Sequence, residues 1–428
     1  MLTKKIKTIL SGQFIRNVGW LGLAELVNRV FRLGTTVTLA RVFSTQDYGL
    51  MAVIYTVFDL ATVFIFKGGI GAKVIQADEE ELDTVANTSY WLNWIVCIAL
   101  FLIQGLAAFP IARFYDNNQL ILPICVISFM YLVYPFFLIQ CALIERENRL
   151  KIIAMCTATQ SMIINIFTVV FALLGFGIWA IVVPMTISVP VWFIFCRRYH
   201  QWRSPKSFSL ENWRTIINYG KNLIGVELLT KLRLNLDYLI VGRFLGVEQL
   251  GVYYFAFNAG SGITNNVVNS LMSALFPHLC DARGDRRHLR QRYLKSLKTI
   301  ALVVVPIVIL QSALSPIYVP IVFGEKWVSA IPILILICLS VIPMTFKHAA
   351  SLLLNSVDKT HISLYFDLIY TVVFAIAIII SVQQGIFAVA ITVLIVNLLF
   401  SLVFSIYAGQ TAFINQPDVK SSSYLDRF

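Results

Sequence analysis

Charge is scarce in this sequence. Of 428 residues, 13% are Asp, Glu, Lys or Arg, against 58% that are hydrophobic; an average soluble domain carries roughly 25% charged residues. A soluble core could not absorb so much apolar sequence, whereas a bilayer can, because there the apolar face is the outside. Paired cysteines are also missing. The seven cysteines form no CxxC pair and most fall inside apolar runs, so they read as small buried hydrophobes rather than disulfides or metal ligands. The five histidines are scattered and no HExxH occurs. There is no phosphate-binding loop, nucleophile elbow or metal motif. These absences point away from a resident cofactor, from ATP-driven work by this chain alone and from an enzyme.

The net charge is +12. In a soluble protein that would suggest nucleic acid, but here the basic residues sit mostly in short loops between apolar runs, and no soluble module is present to bind nucleic acid. Lys4, Lys5 and Lys7 precede the first apolar stretch, as in a signal peptide. That stretch contains Glu25, Arg29 and Arg32 and no small-residue cleavage site follows it, so it is expected to be a retained first span.

A helical span needs about 20 apolar residues. Twelve are expected, near 17–40, 49–67, 90–112, 119–143, 152–174 and 177–196, then 220–242, 251–277, 299–319, 328–350, 361–382 and 386–408. Residues 152–196 carry no charge and are too long for one span, with Gly175-Phe176-Gly177 as the natural turn; residues 368–417 carry none either and divide at Gln383-Gln384-Gly385. The expected fold class is thus an all-α integral membrane protein.

The Lys and Arg distribution sets the orientation. Of the 34, 25 fall in loops on one side, four (Arg41, Arg113, Arg243, Lys326) on the other, and five inside spans (Arg29, Arg32, Lys231, Arg233, Lys347). This separation places both termini in the cytoplasm of a multi-pass inner-membrane protein. The run Asp78-Glu79-Glu80-Glu81-Leu82-Asp83 makes one basic-side loop acidic, although acidic residues count little in the rule.

The polar break at 197–219 divides the spans six and six. The expected organisation is a six-helix lobe over 1–196, a basic cytoplasmic linker over 197–219, a second six-helix lobe over 220–410 and a cytoplasmic tail over 411–428. An offset of 202 aligns Glu25, Arg41 and Gly49 with Glu227, Arg243 and Gly251, and Arg29 with Lys231. Each half starts on the same side, so the halves would be parallel repeats about an axis along the membrane normal.

Ionisable groups inside spans are costly and usually face an interior cavity. In the first span Glu25, Asn28, Arg29 and Arg32 are spaced to share one helical face. In the seventh, Glu227 and Lys231 are expected i,i+4 partners, as are Arg233 and Asp237. Two readings stand for these groups: ion pairs that fix helix packing, or the lining of a cationic central cavity suited to an anionic cargo. Recurrence in both halves favours the second. Asp59, Lys347 and Asp367 are further candidates, for which packing is the preferred reading. Pro123, Pro135, Pro184, Pro190, Pro306 and Pro343 lie inside spans and are potential kinks. Trp91, Trp94, Trp179 and Trp327 lie where interfacial aromatic belts are expected.

Four segments carry a family resemblance: Leu39-Ala40-Arg41-Val42-Phe43-Ser44-Thr45-Gln46-Asp47-Tyr48-Gly49-Leu50, Gly69-Ile70-Gly71-Ala72-Lys73-Val74-Ile75-Gln76, Tyr90-Trp91-Leu92-Asn93, and Val322-Phe323-Gly324-Glu325-Lys326-Trp327 followed by Ala330-Ile331-Pro332. On these the chain resembles the Wzx-type polysaccharide transporters of the MATE-like flippase superfamily, most of all the colanic acid exporter-like branch. Many members of that family have fourteen spans, against the twelve expected here. The resemblance implies movement of polyprenyl-pyrophosphate-linked oligosaccharides to the outer leaflet by alternating access, with no cofactor. It also implies work alongside a polysaccharide polymerase and other biosynthesis proteins. Two alternatives stand beside this reading: within transporters, a cation-coupled drug or metabolite exporter of the same fold, and, from a different class, a membrane polymerase or ligase. The second would need a sizeable outside loop, and the longest expected here runs only over 318–327.

Overall fold

The computed structural model describes residues 13–66, 69–205 and 207–413. Lys67, the residues before 13 and nearly all of the expected tail lie outside them. Among the described residues all regular structure is helical. The chain forms two compact units, Met1–Gly251 and Val252–Phe428.

The first unit begins with α1 (Gln13–Val42), α2 (Thr45–Phe66), the short α3 (Ile70–Gln76) and α4 (Leu82–Phe114). The fourth expected span is a broken rod: α5 (Ile121–Ser128), α6 (Met130–Val133), a 3-10 turn over Tyr134–Phe136 and α7 (Leu138–Arg146). Pro135 lies in that turn and has no N–H to continue the α ladder. After α8 (Leu150–Leu173), Pro190 likewise divides the sixth span into α9 (Trp179–Ser188) and α10 (Pro190–Tyr199). The seventh, α11 (Trp213–Phe244), is continuous. In the first unit α1 and α9 pack on α8, and α11 packs on α2.

The next helix, α12 (Gly246–Cys280), leaves the first unit after Gly251. In the second unit follow α13 (Arg286–Tyr318), α14 (Ile331–Ser356), α15 (Thr360–Ser381) and α16 (Ile386–Phe413). Pro306 and Pro343 are carried inside α13 and α14 without ending them. Packing of α14 on α16 uses small residues, Ala350 and Ala408 beside Leu354 and Phe404, which lets two helices approach closely where no water drives them together.

Among the described residues nine helical segments are long and apolar enough to cross a membrane. The three long helices outside that set are α1 and α11, which carry most of the intramembrane charges, and α12, which carries Asn258, Asn265, Asn266 and Asn269. Outward faces are apolar as a bilayer requires: Leu106 and Leu302 are 72% and 75% exposed in mid-helix. This is a multi-pass membrane protein. Trp327, expected in the interfacial belt, does not offer its ring to the surface. It is fully buried and stacks on Phe255 with ring centroids 4.0 Å apart, so it is a packing residue.

Two segments between the expected spans have defined partners. The segment from Gly69 folds into α3, and Arg146 at the end of α7 closes it. The Arg146 guanidinium donates to the carbonyls of Ile75, at 2.9 Å, and Ala77, and it pairs with Glu79 at 2.8 Å. A helix end leaves carbonyls without partners, and here a cation from another helix takes them. The acidic run at 78–83 therefore meets a basic loop. The linker before α11 is docked rather than free: Thr88 of α4 donates to the Glu211 carbonyl at 2.8 Å and Trp91 to that of Ser207 at 3.0 Å.

Candidate functional site

Along the α2–α11 seam a polar ladder crosses between apolar surfaces. Lys231 of α11 donates to Asp59 of α2 at 2.8 Å. One turn along, the Thr56 hydroxyl donates to Asn235 Oδ1 at 3.2 Å, and Asn235 Nδ2 returns to the Lys231 carbonyl at 2.9 Å. Thr56 and Asp59 are three residues apart, and Lys231 and Asn235 four, so each pair lies on one face of its helix. The Glu227–Lys231 ion pair expected within α11 does not form; among the described residues the lysine's ion pair is with Asp59. A partner on a facing helix lets the lysine avoid bending back along its own backbone. Asp237 is buried and accepts the backbone N–H of Tyr238 at 3.0 Å. Arg233, one turn before it, is half-buried. Arg243, at the end of α11, donates to the Phe114 carbonyl at 2.8 Å and lies over its ring.

On α1 the expected common face divides. Asn28 turns to α8, where Ser161 donates to its Oδ1, and Thr35 donates to the Asn165 carbonyl at 3.4 Å. Arg29 and Arg32 are exposed. The Glu25 side chain lies outside the described residues.

Lys347 belongs to the second unit. Its ammonium is 2.8 Å from Asp367 Oδ1 and 3.8 Å from the centroid of the Tyr370 ring. Tyr370 in turn donates to Asn397 at 2.9 Å. This chain of contacts ties α14, α15 and α16 through one half-buried cation. Sequence reading named Lys347 and Asp367 but missed Tyr370 and Asn397, as it missed Thr56 and Asn235. For Asp367 and Tyr370 the i,i+3 spacing was available; for the others the partner is on a distant helix and no local signal exists. Among the described residues no three His, Cys, Asp or Glu side chains come together to hold a metal ion.

Two solved structures show the same fold. A multidrug resistance MATE family transporter of the MOP superfamily, inward-facing, matches with a TM-score of 0.74 at 16% identity over 90% of this chain and 94% of that one. The lipid II flippase MurJ, inward closed, matches with a TM-score of 0.76 at 15% identity, over 92% and 90% of the two chains. In sequence, the chain is 24% identical to the teichuronic acid biosynthesis protein TuaB of Bacillus subtilis (strain 168) over 76% of its own length and 68% of that protein's. It is 27% identical to the succinoglycan biosynthesis transport protein ExoT of Rhizobium meliloti (strain 1021), spanning 76% of this chain and 65% of that one. With the lipopolysaccharide biosynthesis protein WzxC of Escherichia coli (strain K12) identity is 27%, over 86% and 75%. The family model described as "Polysaccharide biosynthesis protein" matches residues 38–332, which is more than half of the chain, and the chain belongs to that family.

Proposed function

We propose that this protein is a flippase. It moves polyprenyl-pyrophosphate-linked oligosaccharides across the inner membrane for surface polysaccharide synthesis, without altering them chemically. Family membership is the observation that carries this reading, and the intramembrane charge supports it. Arg29, Arg32, Lys231, Arg233 and Lys347 lie in expected spans, while Asp59 and Asp367 are each held by a lysine. A pyrophosphate head is expensive to bring into a low-dielectric interior unless cations receive it. Twelve spans with both termini cytoplasmic form two six-helix lobes, 1–196 and 220–410, joined by the linker at 197–219. They alternate access to a cationic cavity to which Glu25, Arg29, Arg32, Asp59, Glu227, Lys231, Arg233, Asp237 and Lys347 contribute. A polysaccharide polymerase and other biosynthesis proteins would act beside it. The drug-exporter reading shares the fold, but no contact in the site favours it over an anionic cargo.

The test is reconstitution of the purified protein in vesicles with a labelled lipid-linked oligosaccharide. Transfer between leaflets is expected, with the label chemically unchanged. Absence of transfer with the cognate glycan under every imposed ion gradient sinks the proposal. Cysteines placed at Ser44 and Gln384 should react with an impermeant thiol reagent from outside sealed cells, and those at Ser207 and Asp285 should not.

A further inference from the structure

Helix α13 is longer than a membrane needs. Its 33 residues extend about 50 Å at 1.5 Å per residue, against a hydrocarbon core of about 30 Å. Residues 299–318 carry no charge and account for the span. The preceding segment, 286–298, carries Arg286, Arg287, Arg290, Arg292, Lys295 and Lys298 and no carboxylate. This end of the helix therefore stands at the membrane surface. Asp285 caps it by accepting the backbone N–H groups of Arg287 and His288 at 2.8 and 3.1 Å, so its first turn is already satisfied and its side chains define what it binds.

Between this segment and the last turns of α12 lies an open groove of about 640 Å³, with both walls in the second unit. Its lining is graded along α13. His288, Arg292 and Lys295 stand towards the start of the helix, and Thr299 and Ile300 lie deeper, where the charge-free stretch begins. From α12, His278 faces the charged part and Leu271 and Leu275 the apolar part. Arg292 is oriented by donating to the His278 carbonyl at 3.0 Å, and among the described residues the one carboxylate near it, Asp281, is 3.9 Å away and largely exposed. Among the described residues Lys295 has no carboxylate within ion-pair reach.

A soluble anion would account for the cations but not for the apolar floor beneath them. A lipid accounts for both, since its phosphate and its hydrocarbon are stacked in this order at a membrane surface, where basic pockets between helices take lipid head groups. We infer that the groove is a site for lipid-borne phosphate. The phosphate or diphosphate contacts Arg292 and Lys295, and the chain leaves past Leu271, Leu275 and Ile300 into the bilayer. Two lipids present this chemistry: a polyprenyl diphosphate, as in the proposed cargo, and an anionic phospholipid. The inference requires only binding, so it stands apart from the transport reading.

Native mass spectrometry of the purified full chain in neutral detergent tests it. The protein is titrated with a polyprenyl diphosphate, the matching uncharged polyprenol, phosphatidylglycerol and phosphatidylcholine. The charged lipids should bind at least about ten-fold more tightly than their uncharged or zwitterionic counterparts. Lys295→Gln should weaken that binding roughly five-fold, and Arg292→Gln with Lys295→Gln roughly thirty-fold, from the usual contribution of a cation at a lipid surface. Lys298→Gln, outside the groove, serves as the control. Arg292 also holds α12, so melting temperatures are recorded for every variant, and the single Lys295→Gln carries the test if the double variant melts early. Polyprenyl diphosphate that phosphatidylglycerol cannot displace identifies the cargo lipid; equal competition identifies a phospholipid site. Equal binding of polyprenol and diphosphate overturns the inference, as does a Lys295→Gln protein that loses no more affinity than Lys298→Gln. A protein that binds here but moves nothing across vesicles overturns the transport proposal alone.

Discussion

Gly49 of α2 and Gly251 of α12 pack backbone against backbone, each under a carbonyl from the other helix. A Cβ on Gly49 would collide with the Val247 carbonyl; one on Gly251 would collide with the Thr45 carbonyl and come within 2.8 Å of the Gly49 nitrogen. Thr45 precedes Gly49 by four residues, as Val247 precedes Gly251, so the contact is reciprocal. The same offset of 202 relates the paired residues in sequence. Gly49→Ala or Gly251→Ala should destabilise the fold by about 3 kcal/mol, the upper end of ordinary overpacking, because backbone rather than a flexible side chain must give way. A fall in melting temperature and in membrane abundance is the expected result. Gly34→Ala, where a Cβ would meet nothing within 4 Å, should leave both unchanged.

Asp59 and Lys231 separate packing from cargo recognition. Asp59→Asn or Lys231→Gln alone should cost about 1–2 kcal/mol. That is less than a fully buried pair, because the side chains remain 40% and 28% exposed. The reversed pair, Asp59→Lys with Lys231→Asp, should recover most of the lost stability. If Lys231 also offers its charge to the cargo, flipping in vesicles should stay low in the reversed pair while the melting temperature returns. Recovery of both would assign the pair to packing alone.

The linker has a pH-sensitive tether at Glu147. Arg149 bonds this carboxylate at 2.9 Å, and His200 Nε2 lies 3.2 Å from its other oxygen. The Arg149 hydrogen bond, and after it the nearby His200, holds the Glu147 carboxyl below its usual range. A depressed folded-state pKa gives stability that is fully present above the unfolded value, about 4.3, and is lost as pH falls through the folded one. Hydrogen-exchange protection in the segment 200–205, taken relative to the intrinsic rate at each pH, should therefore fall below about pH 4.3. In Glu147→Gln that protection should already be lower at pH 7 and change little on acidification.

The helical spans were legible because lipid exposure demands long apolar runs, and among the described residues each expected span lies largely on helix. Less legible were the places where one residue overrides a run. Pro135 breaks the fourth span although every neighbour is apolar, and Gly69 opens a short helix between the second and third expected spans, where no helix was expected. The charged side chains were found, but not their partners. Periodicity ranks Glu227 as the neighbour of Lys231, since they share a helical face. The partner in the structure, Asp59, is 172 residues away and becomes available only when α2 packs on α11. The burial of Trp327 was illegible for the same reason: hydropathy suits it to an exposed belt, and only the arrival of Phe255 covers its ring.

The lysine at 347 gives the second unit a cation that cannot leave. Among its described residues Asp367 is the one carboxylate within an expected span, and its counter-ion is covalently part of the chain, 2.8 Å away. Dialysis cannot strip such a counter-ion, sodium and potassium cannot be exchanged for it, and no gradient can carry it out while the lysine stays in place. For Asp367 to receive a travelling ion, Lys347 would first have to let go, so in this unit the ion-pairing capacity of the membrane interior is already spoken for.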